Sequence, residues 1–460
     1  MVENNSIHIK EPNGAFADEA GQTASQAQAM RSVDVGQGNN RPKLRFKGFE
    51  GEWESSDFHD FFDLIKNNSL SRAELSCEGL IGNIHYGDVL VKYGECLDTA
   101  SEGITYIADN ERGKNLYKEG ALRSGDIIFA DAAEDSTVGK CTELICAENE
   151  CIVSGLHTIA CRPRIDTAQG YLGYYLNSNA YHNQLLSRIQ GTKISSISRK
   201  AINATHIVCP LDKQEQRDIA AFFTSIDSLI SACDARIGAL KQVKEASLQA
   251  MFPQEGETAP KVRFKGFTTP WKTVKLGECL EISIERNFNN EYGINEVLSV
   301  SDEGGVMNQI ELLGRSYAGK TVANYKILRT NQIVYTKSPL KTKPYGIVKI
   351  NNGVTGIVSV LYAVYSTKKD ICPEYIHYYF DPKFRINRYL FPLINKGAKN
   401  TMNIRDDVFL HGDILIPQTI AEQKQIAAYF AALDRKISLQ AQRLEKLKQI
   451  KAACLDEMFV

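Results

Sequence analysis

The sequence predicts an α+β chain: two pseudo-two-fold-related domains joined by two long helices that form an antiparallel coiled coil. Three observations carry this expectation. The first is a repeat. Residues 42–53 read PKLRFKGFEGEW and residues 260–271 read PKVRFKGFTTPW, sharing Phe46/Phe264, Gly48/Gly266 and Trp53/Trp271, the two tryptophans of the chain. The second is another repeat, in which PLDKQEQRDIAAFFTSID (210–227) returns as PQTIAEQKQIAAYFAALD (417–434). The third is a heptad spacing of apolar residues that runs on from each of these second repeats. A duplicated chain can fold into halves related by a pseudo-two-fold axis. Such a shape suits a two-fold partner, and duplex DNA is one.

The bulk numbers agree with a globular chain. At 460 residues it exceeds one ordinary core. It is 43% hydrophobic and 24% charged, as soluble domains are. No apolar run approaches the roughly 20 residues of a membrane helix, and the N-terminus lacks the basic-then-apolar pattern of a signal peptide. No membrane association and a cytoplasmic location are therefore expected. The eleven cysteines contain no C-x-x-C pair. Cys141, Cys146 and Cys151 are evenly spaced, but no histidine-rich set accompanies them. They read as reduced thiols, with no metal site.

Taken in order, residues 1–40 are rich in Gln, Ala, Asn, Ser and Gly and read as a disordered leader. Residues 42–208 form a first domain with β-like runs GDVLVKY, GDIIFA and CIVSGLHTIAC. Residues 260–414 form a second, with QIVYTK, YGIVKI and GIVSVLYAVY. Gly, Asn or Asp bounds each run, as it does strands. Each domain then carries an aromatic helical segment, YLGYYLNSNAYHNQLL or EYIHYYFDPKFRINRYLF. A polar loop with glycine follows, QGTKISSIS or NKGAKNTMNI.

Helical spacers follow at 210–252 and 417–459, with a linker at 253–259. Asp212 with Glu215, and Thr419 with Glu422, are capping-box patterns, each two residues after a proline, Pro210 or Pro417. From there Ile219, Phe223, Ile226, Ile230, Cys233, Ile237 and Leu240 recur at alternating steps of four and three. Ile426, Phe430, Leu433, Ile437, Gln440, Leu444 and Leu447 repeat the steps, and only Gln440 departs from an apolar seam. Each helix of about 40 residues would reach roughly 60 Å. Pairing the copies antiparallel is the simplest way to cover both stripes.

Net charge is −1, so its distribution matters more than its sum. No acidic residue lies between Glu311 and Asp370, a stretch holding ten Lys and Arg residues, Lys326, Lys337, Lys341, Lys343 and Lys349 among them. A shorter acid-free stretch between Asp166 and Asp212 holds Arg188, Lys193, Arg199 and Lys200. Such asymmetry fits a surface that meets phosphates. The candidate DNA-contacting residues are Arg188, Lys193, Ser195 and Ser196 in the first half. In the second they are Lys337, Lys341, Lys343, Lys399 and Asn400. Lys and Arg neutralise phosphates, while Ser and Asn can read base edges.

Catalytic signatures are missing. G-x-S-x-G, H-E-x-x-H, G-x-G-x-x-G in a dinucleotide-binding setting and the N/D-P-P-Y/F motif of adenine methyltransferases do not occur. One match does occur: Gly314 to Thr321 reads G-R-S-Y-A-G-K-T, the phosphate-loop pattern, which would make Lys320 a nucleotide-binding residue. The run after it, VANYKILRTNQIVY, is β-branched and broken at Asn331. A helix, which a phosphate loop needs there, is a poor reading of it.

The duplicated FKGF…W starts, the PxxxQEQ/AEQ-x-x-IA helix starts with their heptads, and the run NYKILRTNQIVYTKSPL resemble the specificity (HsdS) subunits of type I restriction–modification systems. The resemblance spans about 42–459. It extends less closely to specificity subunits of related type II systems. It implies that 42–208 and 260–414 are target recognition domains, each reading one half of an asymmetric bipartite DNA site. It implies that the helices act as a spacer and as docking surfaces for two modification (HsdM) subunits, with HsdR restriction subunits also bound. S-adenosylmethionine, ATP and Mg would belong to those partners. This chain would hold no cofactor and do no chemistry. Residues kept in both helix copies, Gln216/Gln423 and Asp227/Asp434, are the candidate partner-docking contacts.

Overall fold

The computed structural model describes residues 30–32, 40–191, 194–254, 256–319, 321–337, 340, 343–393, 395–396 and 402–460. It divides into two compact units. Unit 1 is Met1–Ala232 with Arg443–Val460, and unit 2 is Cys233–Gln442. Each is α+β.

Unit 1 is built on a five-stranded sheet in the order Phe62–Ile65, Thr158–Pro163, Ile127–Ala130, Cys141–Ile145, Cys96–Asp98. The middle strand, from GDIIFA, is buried on both faces, as an unbroken Ile-Ile-Phe-Ala run predicts. A second sheet of four short strands contains Ile152–Ser154, from the CIVSGLHTIAC run. Unit 2 repeats the inner order with Leu280–Ile282, Ala363–Thr367, Ile333–Tyr335 and Val348–Ile350. Its central strand Ile333–Tyr335 is again fully buried. The two variable blocks thus share a frame that their sequences barely show.

Four expectations need correction. GDVLVKY is not a strand: Tyr86–Val91 is a helix, capped by His85, whose Nδ1 accepts from the Gly87 N–H at 3.2 Å. A strand would put Val89 and Val91 on one face, but Val89 is wholly buried and Val91 is 88% exposed. Each aromatic segment is two helices. Tyr171–Asn177 breaks from Asn179–Leu186 at the extended Ser178, and Pro373–Phe380 breaks from Lys383–Leu390 before Pro382. Within the segment read as a leader, Met30–Ser32 pairs antiparallel with Leu44–Phe46 of the first repeat.

The fourth correction concerns the capping boxes, which are only half formed. Asp212 Oδ1 accepts from Gln214 N at 2.8 Å, and Thr419 Oγ1 from Glu422 N at 3.4 Å. The glutamates do not close the box. Glu215 takes the Arg45 guanidinium in a two-pronged pair at 2.7 and 2.8 Å, and Glu422 takes Arg263 at 2.6 and 2.8 Å. Trp53 and Trp271 each donate their indole N–H to the same carboxylate, at 3.4 and 3.1 Å. The FKGF…W repeat is therefore a clamp that bolts each domain to the start of a long helix.

The long helices are Lys213–Ala250 and Ile420–Met458. Each opens in one unit and closes in the other. In unit 1, Phe223 stacks on Phe459 at 5.8 Å, and Asp227 meets Lys451 at 2.7 Å. One number rises as the other falls, so the segments are antiparallel. Unit 2 repeats this, with Phe430 on Phe252 at 5.9 Å and Asp434 on Lys244 at 2.8 Å. Of the expected seam, Ile219, Phe223, Ile226, Ile426, Phe430 and Leu433 are buried in the cores, and Cys233 is buried as well. Ile230, Ile237, Leu240, Ile437, Leu444 and Leu447 are half-buried. Among the described residues no helix is long and apolar enough to cross a membrane.

The heptad steps continue to Lys244 and Lys451, so a cation stands in the seam of each unit. Lys451 binds Asp227 and Glu95, both at 2.7 Å, and lies 5.5 Å from the Tyr174 ring centre. Burial alone would lower its pKa, but Glu95 and Asp227 outweigh burial and raise it. Lys451→Met keeps the volume and leaves two half-buried carboxylates without their counter-charge. Thermal unfolding of the full chain at neutral pH should then show a loss of about 2 kcal/mol, below that for a fully buried pair because water still reaches the site. An unchanged midpoint would refute this role.

Candidate nucleic-acid interface

In unit 1 the polar loop after the aromatic helices folds back as a tight hairpin. Gln190 and Ser196 exchange both backbone hydrogen bonds, at 3.0 and 2.8 Å. Gly191 has φ +101°, and a Cβ there would lie 2.0 Å from the Ile194 carbonyl oxygen, so only glycine fits. Ser195 and Ser196 pair with Ala133 and Ala132, fastening the hairpin beside the end of the central strand. Ile197 then turns into the core and its N–H donates to the Asp131 carbonyl at 2.9 Å. Ser198 caps the next short helix through Ala201 N at 3.1 Å. Arg199 is thereby delivered to the rim on which Asp131 stands.

That rim is polar and held by several bonds. Asp131 Oδ1 lies 3.1 Å from His157 Nδ1, and the Asp131 N–H donates to the His157 carbonyl at 3.0 Å. His157 has φ +52°, a backbone cost that a non-glycine residue bears at few places. Arg199 Nη2 donates to Asn67 Oδ1 at 2.8 Å. A cleft of about 390 Å³ opens here, lined by Lys66, Asn67, Asn68, Arg112, Asp131 and His157 among others. Burial raises the Asp131 carboxyl above its ordinary pKa, against the pull of His157 and Arg199.

Unit 2 builds the same place differently. Asn395–Lys396 pairs with Met402–Asn403, and Ile404 turns into the core. Asp406 follows, its carbonyl held by the Tyr365 hydroxyl at 2.9 Å. Its carboxylate accepts from Lys326 Nζ at 2.6 Å and from Lys337 Nζ. Burial acts to raise its pKa, but the two lysine bonds outweigh it and hold the group low. Lys337 has φ +55°, a left-handed non-glycine residue just past the central strand.

The residues expected to touch DNA are placed unevenly. Ser195 and Ser196 lie on the hairpin. Arg188 supports it from below, bonding the carbonyls of Gln184 and Ala204. Lys337 is at the rim. Lys343 is buried, held by Asp302 at 2.7 Å and the Asp381 carbonyl at 2.8 Å. Lys193, Lys341, Lys399 and Asn400 lie outside the described residues, as does Lys320.

The acid-free stretch is not acid-free in space. Lys349 binds Asp381 at 3.0 Å and Asp302 at 3.3 Å, and Arg329 binds Glu285 at 2.7 Å. Gly314 ends a short helix, and among the described residues the next regular element is a strand, Lys326–Leu328, so the 314–321 match has the wrong surroundings for a phosphate loop.

The four docking candidates have internal partners. Gln216 is buried, accepting from Ala168 N at 2.8 Å and donating to the Pro210 carbonyl at 2.7 Å. Gln423 is buried too, accepting from Cys372 N at 3.0 Å and donating to the Pro417 carbonyl at 3.3 Å. Asp227 and Asp434 accept from Tyr174 and Tyr378, at 2.8 and 2.9 Å, and bind the seam lysines. Their repetition is explained by packing. Sequence reasoning missed Asp131, His157, Asn67 and Asp406, and noted Arg199 only as one cation of a basic stretch. No local motif marks them, and only laying GDIIFAD over NQIVYTK would have found the first.

Residues 269–449 match the family model described as Type I restriction modification DNA specificity domain. A curated relative from Methanocaldococcus jannaschii, "Putative type I restriction enzyme MjaX specificity subunit", is 22% identical over 424 residues, covering 87% of this chain and 91% of its own. The crystal structure of a Type-I restriction-modification system S subunit from M. genitalium superposes with a TM-score of 0.55 at 11% identity. The match covers 91% of this chain and 99% of that one, and shows a shared fold.

Proposed function

We propose that this chain, a specificity subunit of the type I restriction–modification kind, reads an asymmetric bipartite DNA site with one unit on each half-site. The carrying observation is the matched specificity domain at 269–449, set in a chain whose two units each present a charged rim just past the central strand, with a hairpin paired beside it in unit 1. Side chains held on a rigid sheet edge meet a groove with little ordering cost, which favours reading over loose attachment. The chain supplies the address and its partners the chemistry. Two modification subunits bring S-adenosylmethionine, and restriction subunits bring ATP and Mg, in the cytoplasm. None of the motifs for those reactions stands in a working context in this sequence.

The test uses the full chain with its modification subunits and a random duplex library. Selection should return two fixed, unlike half-sites. Lys193→Ala should weaken binding and lower the salt slope by about one unit, with its footprint change confined to one half-site. Lys399→Ala should do the same at the other. Selection of no sequence would overturn the reading, and both variants acting on one half-site would overturn the one-unit, one-half-site arrangement.

A further inference from the structure

The frame aligns the two rims residue by residue. Gly125 and Asn331, both with positive φ, open the turns before the two central strands. Counting on through Ile127–Ala130 and Ile333–Tyr335 sets Asp131 opposite Lys337. After the hairpins, buried Ile197, Ile202 and Ile207 correspond to buried Ile404, Phe409 and Ile414, which sets Arg199 opposite Asp406. At both positions the charge is reversed. Unit 1 has acid then base, and unit 2 has base then acid.

We infer that Asp131 and Arg199 in unit 1, and Lys337 and Asp406 in unit 2, are base-discriminating residues, and that the reversal makes the two half-sites unlike. The inference rests on the DNA-reading function proposed above. A carboxylate can only accept, so Asp131 and Asp406 would meet an exocyclic amino group, that of cytosine or adenine. Arg199 and Lys337 can only donate, so they would meet guanine O6 and N7. The geometry supports positions of this kind. Each residue is bonded to a neighbour, Asp131 to His157, Arg199 to Asn67 and Lys337 to Asp406, so its direction is fixed before DNA arrives. His157 and Lys337 both carry a positive-φ backbone, a strain found more often at functional positions than elsewhere. Neither rim is a generic cation patch, because each holds a carboxylate that phosphates would repel.

The experiment repeats the library selection with Arg199→Ala, Asp131→Asn, Asp406→Asn and Lys337→Met, each in the full chain with modification subunits. Arg199→Ala should erase about tenfold of guanine preference at one position of one half-site, leaving the other half-site intact. Asp131→Asn should relax another position of the same half-site. Lys337→Met and Asp406→Asn should relax the opposite half-site. Asp406→Asn also strips Lys326 of its partner, so Lys337→Met is the independent probe if that variant folds poorly. If the wild type selects two half-sites and the variants keep every preference, or weaken all sequences evenly, the inference falls and the DNA-reading function stands. If the wild type selects nothing, both fall.

Discussion

Glu215→Ala is expected to destabilise unit 1 by about 3–5 kcal/mol. The change removes the counter-charge of Arg45, whose side chain is only 7% exposed and keeps two backbone carbonyls, Gly51 and Glu50, as its remaining acceptors. It also strands the Trp53 indole N–H. An uncompensated buried charge costs far more than the pair contributes, which is why deleting one partner is so damaging. The two tryptophans make the measurement local. In a Trp271→Phe background the fluorescence of Trp53 reports unit 1, and denaturant unfolding there should show the loss. Glu422→Ala in a Trp53→Phe background should do the same to unit 2, through Arg263. A loss under about 1 kcal/mol in both would mean that the clamp is only a surface ion pair, contrary to its burial.

Phe459→Ala should cost unit 1 a similar amount, about 3–5 kcal/mol. The ring is packed by Trp53, Tyr171, Tyr175 and Phe223, with centroids 5.6 to 6.3 Å away. Rigid aromatic walls do not collapse into the space, so the cavity persists. Phe252→Ala is the matching change in unit 2, against Trp271, Tyr375 and Phe430. The Trp53 signal should respond most to the first and the Trp271 signal to the second. Equal responses of both signals to either change would contradict the assignment of each Met-Phe end to one unit.

The parts legible in the sequence were those encoded by period and repetition. Spacing alone placed Ile219, Phe223 and Ile226 on one buried stripe, because a helix converts a three-four rhythm into a face. GDIIFA and QIVYTK read as strands because β-branched and aromatic runs between turn residues have few other uses. GDVLVKY had the same composition and became a helix. Its partners are set by the fold around it: Arg72 holds Asp88 at 2.7 and 2.9 Å, and His85 caps the first turn. Charge was read least well. Lys326 and Asp406 are 80 residues apart and Lys343 and Asp302 are 41 apart, so a window along the chain saw only the bases. The repeated Gln216/Gln423 looked functional because repetition shows constraint without showing its source. Each of these glutamines makes two backbone hydrogen bonds at a buried position, which is a sufficient constraint by itself.

Unit 2 is one continuous stretch, but unit 1 is closed by Arg443–Val460, and its Glu95–Lys451 bond joins residues 356 apart. The order of synthesis on the ribosome therefore inverts the order of completion. The first domain emerges early and must wait, its aromatic floor uncovered, while the whole of unit 2 is made and can close. Such a waiting surface is exposed to aggregation and to holding chaperones. A message cut short before residue 443 would yield a chain with one finished unit and one open one. That chain would be marked for degradation by its own unfilled core, and a product with only one finished unit would not persist.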